Sequence, residues 1–70
     1  MMPLTLADQG EELIIRKIGG SGETRRFLEG LGFVVGGNIT VVSENGGNVI
    51  VKVKESRVAV SKEMAMRVMV

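Results

Sequence analysis

Along this chain apolar and polar positions alternate in short bursts, and glycines separate the bursts. Leu13-Ile14-Ile15-Arg16-Lys17-Ile18 lies between Gly10 and the Gly19-Gly20 pair, and a β-branched run of that length predicts a strand. Its period is imperfect, with Ile14, Arg16 and Ile18 on one face and Leu13, Ile15 and Lys17 on the other. Both faces are therefore expected to be partly covered, and the next segment supplies a cover. From Gly22 to Leu31 the period becomes helical: Phe27, Leu28 and Leu31 recur at helix spacing, while Arg25, Arg26 and Glu29 fall on the outer side. Ser21 stands at the N-cap position, Glu23 in the first turn where the helix dipole favours an acid, and Gly32 just past the end.

The second half reads as a meander. Ile39-Thr40-Val41-Val42-Ser43 and Val49-Ile50-Val51-Lys52-Val53-Lys54 flank Asn45-Gly46-Gly47-Asn48, and Asn-Gly between alternating apolar segments is a hairpin signal, since a type I′ turn needs positive φ at both central residues. Glu55-Ser56 predicts a second tight turn into Arg57-Val58-Ala59-Val60. Period two then places Val49, Val51, Val53, Val58 and Val60 inward and Lys52 and Lys54 outward. Ser61 caps a single helical turn through Lys62-Glu63-Met64-Ala65, and Met66 to Val70 finishes as a short strand. The expected architecture is mainly β, with about five short strands, one inserted α-helix and a one-turn helix before the last strand. Strands so short must hide their edges, which predicts a small, partly open barrel of the SH3-like kind.

Length and composition say how such a core is held. At 70 residues a single domain, 1–70, is expected, and so short a chain buries only about 60% of its unfolded surface. Cys and His are absent, so neither disulfides nor a zinc site of the usual kind supplement the packing. Hydrophobic residues make up 44%, and the only aromatics are Phe27 and Phe33, both assigned to the core. The interior must therefore be largely aliphatic.

The same absences remove nucleophile and base pairs of the Ser-His or Cys-His type. A barrel this small is filled by its own side chains and is expected to leave no cleft for carboxylate catalysis, so an enzyme is not expected. Gly19-Gly20-Ser21-Gly22 precedes a helix but lacks the Gly-Lys-Ser/Thr of a phosphate loop. Asp8, Glu11 and Glu12 are the only candidates for an oxygen-ligand metal site, although their spacing is not that of a calcium loop. Met64, Met66 and Met69 read as core fillers.

Net charge is +1, split as −1 over residues 1–35 (five acids, four bases) and +2 over residues 36–70 (three acids, five bases). That asymmetry is too mild to steer the chain toward nucleic acid or an anionic membrane. No apolar run approaches the roughly 18 residues that span a bilayer, so no membrane insertion is expected. Met1-Met2-Pro3-Leu4-Thr5 lacks the charged start and apolar core of a secretion signal, so a cytoplasmic location is expected.

The order of features carries more than any one of them. Leu4-Thr5-Leu6-Ala7 precedes Gly10-Glu11, the first strand, the Arg25-Arg26-Phe27-Leu28-Glu29-Gly30-Leu31-Gly32-Phe33 helix end and the Gly36-Gly37 turn. Gly46-Gly47 then stands before a Val-rich strand, and Glu63-Met64-Ala65-Met66-Arg67-Val68-Met69-Val70 closes the chain. Over nearly its whole length this resembles the ferrous iron transport protein A (FeoA) family. The resemblance implies an SH3-like fold. It also implies a small cytoplasmic accessory of iron uptake, binding the cytoplasmic part of a membrane ferrous iron transporter that carries a GTPase domain. The same domain is similar to the C-terminal module of metal-dependent repressors, so the resemblance further implies transition-metal binding, with a weakly held divalent metal as the only cofactor.

For the partner surface the sequence offers two places. The first is the helix, through Arg25, Arg26 and Glu29 with an apolar edge around Leu28 and Leu31, because the barrel core has no use for the outer side of an inserted element. The second is the basic strand surface of Lys52, Lys54 and Arg57. With Lys62 and Arg67 that surface would also suit a nucleic-acid-binding barrel, but single strands are normally stacked on exposed aromatics, and none is expected. A stand-alone metal-sensing module related to the repressors shares the fold and is the remaining alternative.

Overall fold

The computed structural model describes residues 1–70. A 3₁₀ turn, Leu4–Leu6, opens the chain and buries Leu4, a contribution that the sequence pattern does not announce. It is followed by β1 (Glu12–Ile14), β2 (Lys17–Ile18), α1 (Gly22–Gly30), β3 (Asn38–Asn45), β4 (Asn48–Val53), β5 (Ser56–Ser61), α2 (Lys62–Ala65) and β6 (Val68–Met69). β1, β3, β4 and β5 form one antiparallel sheet in that order, and β2 pairs with β6 in a second. The architecture is mainly β, with six strands instead of five.

The extra strand comes from a break in the first apolar run. Ile15 and Arg16 lie between β1 and β2, where the chain leaves β3 in one sheet and joins β6 in the other. The crossing keeps its hydrogen bonds: Ile15 N–H donates to Gly37 O at 2.9 Å, Gly36 N–H to Ile15 O at 2.8 Å, and Arg16 N–H to Met69 O at 2.8 Å. A strand that changes sheets bends, and the bend resets its period. Ile15 and Ile18 therefore both face inward while Ile14 is exposed, which corrects the two-face reading of this run.

The meander folds as its alternation requires. Val49, Val51, Val53 and Val60 are buried, Val58 is half-buried, and Lys52 and Lys54 are exposed. In the first hairpin Asn45 pairs with Asn48, so Gly46 and Gly47 are central. Only Gly46 has positive φ, at +62°, which is the pattern of a type II′ turn and not of type I′. In the second hairpin Val53 pairs with Ser56, so the turn is Lys54-Glu55, one residue earlier than expected. β3 also bulges at Val42, since Val41 faces Val51 but Ser43 faces Ile50.

Fourteen buried residues, all apolar, form one core cluster in which Phe33 is the only aromatic. Phe27, expected beside it, is 53% exposed, and Met66 also faces outward instead of filling the core. Ser61 caps α2 as predicted, accepting from Met64 N–H at 3.2 Å. The two ends of the chain are tied together, because Met2 and Val70 exchange backbone hydrogen bonds of 2.9 and 2.8 Å and Pro3 bridges to Met69.

Candidate partner-binding surface

α1 is held at both ends by its own sequence. Ser21 Oγ accepts Thr24 N–H at 3.2 Å, satisfying one of the free donors of the first turn. At the other end Gly32 N–H donates to Glu29 O at 2.9 Å and Phe33 N–H to Leu28 O at 3.0 Å, the paired bonds of a Schellman motif. That motif needs positive φ just after the cap, and Gly32 supplies it at +104°. Its accompanying apolar pair is Leu28 and Phe33, both completely buried.

The inward seam of α1 is therefore Thr24, Leu28 and Leu31, spaced i, i+4, i+7, and not the Phe27, Leu28, Leu31 stripe read from the sequence. Successive helix residues point about 100° apart, so a helix that seats Leu28 turns Phe27 outward. Leu28 thus belongs to the core and is corrected as a contact residue, while Leu31 is half-buried. Arg25, Arg26 and Glu29 are exposed as expected, and the apolar group that α1 exposes with them is Phe27. Neither arginine is paired with an acid. The one ion pair of the structure joins Lys62 Nζ to Glu44 Oε2 at 3.6 Å.

The second basic surface lies on the outer side of the four-stranded sheet. Register places Glu12 opposite Thr40, Thr40 opposite Lys52, and Lys52 opposite Arg57, so one row of side chains crosses all four strands. Beside this row opens a cleft of about 300 Å³, bounded by sheet residues Glu12, Asn38, Thr40 and Lys52, by Lys54, and by Val34 as its one apolar side chain. The expectation that so small a barrel leaves no cleft is corrected, because the interior is filled but the loop after α1 meets the sheet from outside.

The carboxylates singled out as metal ligands do not assemble. Asp8, Glu11 and Glu12 are each exposed, and no three Asp, Glu, His or Cys side chains stand close enough to share one ion. No helix is long and apolar enough to cross a membrane.

Set against known proteins, residues 2–70 match the family described as FeoA domain. The chain is 38% identical over 71 residues to "Putative Fe(2+) transport protein A" of Methanocaldococcus jannaschii, covering 100% of this chain and 85% of that protein. The crystal structure of an iron uptake regulatory protein (FeoA) superposes with a TM-score of 0.86 at 33% identity, over 96% of this chain and 89% of that one. FeoA of Stenotrophomonas maltophilia in complex with zinc, described as a prokaryotic SH3 domain protein, gives 0.84 at 24% identity, over 99% and 88%. At that identity the likeness speaks for the fold alone, which is the SH3-like one that the strand pattern predicts.

Proposed function

The chain belongs to the FeoA domain family, and from that premise we propose that it is an accessory of ferrous iron uptake that binds the cytoplasmic part of a GTPase-carrying ferrous iron transporter. The observation that carries the reading is the outer face of α1. Leu28 is the one fully buried side chain of this helix and Leu31 packs half-buried beside it, yet Phe27 is 53% exposed beside two unpaired arginines. Aromatic and Arg side chains are the groups enriched at the centres of protein interfaces. Phe27 is the anchor that enters a pocket of the partner, and Arg25, Arg26 and Glu29 make the polar rim. In this reading the domain works from the cytoplasmic side by binding and performs no catalysis. The reading does not depend on a resident transition metal, and no three His, Cys, Asp or Glu side chains converge to hold one.

Calorimetric titration of the transporter's purified cytoplasmic domain with this protein tests the reading. The double variant Arg25→Glu, Arg26→Glu and the single variant Phe27→Ala should each keep a native circular dichroism spectrum and bind about tenfold or more weakly, as expected for interface anchors. Unweakened binding by both folded variants removes α1 as the contact face. No binding by the parent removes the partner.

A further inference from the structure

Three features of the Lys52, Lys54 and Arg57 surface work against stability, and the fold requires none of them. Lys52 stands directly opposite Arg57 on the neighbouring strand, where like charges repel. Lys54 is the one non-glycine residue with positive φ, +55°, a conformation that strains most L-residues and that Gly or Asn adopts far more readily. Neither lysine nor Arg57 has an acidic partner, since the only ion pair lies elsewhere, between Lys62 and Glu44. Strain and unpaired charge retained together at a surface point to a function for it. Here they meet at one place, because Lys52 and Lys54 both line the external cleft.

We propose that this cleft binds the carboxylates of an acidic, extended peptide segment of a partner protein. Its volume of about 300 Å³ lies at the lower end of ligand pockets, which is room for one or two side chains. Lys52 and Lys54 supply the cationic groups, while the Thr40 hydroxyl and the Asn38 amide are donors for the remaining carboxylate lone pairs. Val34 offers an apolar wall to the methylene stem of a glutamate. Glu12 at the other side of the cleft repels anions and so confines them to the lysine end. A single nucleic acid strand is the poorer occupant, because no aromatic lines the cleft for base stacking. The site is distinct from α1, and its test needs no knowledge of the transporter.

The ¹⁵N-labelled protein is titrated at low salt with a capped oligoglutamate peptide, and separately with capped oligoglutamine, inorganic phosphate and oligothymidylate. Oligoglutamate should shift the amides of residues 38–40 and 52–54, with the shifts suppressed by salt, and oligoglutamine should leave them unmoved. Exposed charge pairs are individually modest, so Lys54→Asn should weaken binding about threefold and Glu12→Gln should strengthen it by a similar factor. Lys54→Asn also relieves the strained turn, so lost binding cannot be put down to unfolding. An equal response to phosphate would identify a general anion site, and tighter binding of oligothymidylate would identify a nucleic-acid site; either overturns the proposal. So would shifts centred elsewhere, or undiminished binding by the folded double variant Lys52→Glu, Lys54→Glu.

Discussion

Truncating Leu28 to alanine removes the one α1 side chain that is fully buried, and with it the partner of Phe33 across the Schellman turn. Leu to Ala at such sites costs about 2–5 kcal/mol, partly for the cavity left behind. A domain of this length has a total stability of roughly 4–10 kcal/mol, so a loss of about 3 kcal/mol takes a third or more of it. At about 4–8 °C per kcal/mol for small domains, the melting temperature falls by about 12–24 °C. Phe27→Ala deletes the larger side chain, but Phe27 is 53% exposed and alanine is the better helix former, so its loss should stay below about 1 kcal/mol. Urea denaturation followed by far-ultraviolet circular dichroism measures both, since the chain has no Trp or Tyr to report by fluorescence. Leu28→Met, which conserves volume, should lose less than about 1.5 kcal/mol and guards against a Leu28→Ala variant that does not fold. A Phe27→Ala loss as large as that of Leu28→Ala, or a Leu28→Ala loss under about 1 kcal/mol, would refute the seating of the helix.

Four further substitutions probe the turns and caps by the same denaturation assay. Gly46→Val should lose about 1–2 kcal/mol because Gly46 has positive φ, whereas Gly47→Ala, with negative φ and nothing within 4 Å of a new Cβ, should be neutral or gain a few tenths of a kcal/mol. Lys54→Asn should raise stability by about 0.5–1 kcal/mol by relieving the left-handed backbone and one unpaired positive charge. Ser21→Ala should lose about 1 kcal/mol with the hydroxyl that accepts Thr24 N–H.

What could be read from the sequence was what short-range physics decides. The alternation in β4 is legible because that strand lies between β3 and β5 with one face on the core, so Val49, Val51 and Val53 must share a side. Ser21 and Gly32 mark the ends of α1 because each satisfies backbone groups within a few residues of itself. The break between β1 and β2 was not legible, because it is set by β6, the last strand of the chain. Phe27 was misplaced for a related reason. Helical spacing allows either Phe27 or Leu28 inside, and the choice falls to Phe33, which the cap turns back onto the helix. The external cleft escaped the sequence because it joins Val34 in a loop to Lys52 and Lys54 across the sheet. Asp8, Glu11 and Glu12 are neighbours in sequence, but nothing in the fold draws them together around an ion.

The most direct test of the functional account is to map the partner's footprint at residue resolution. Amide spectra of the ¹⁵N-labelled protein are recorded as the transporter's cytoplasmic domain is added. The account predicts that broadening and shifts centre on the outward residues of α1, Arg25, Arg26, Phe27 and Glu29, which the structure leaves exposed, with the buried core unmoved. Perturbation confined to residues 38–40, 52–54 and 57 with α1 silent, or no perturbation at all, would contradict it.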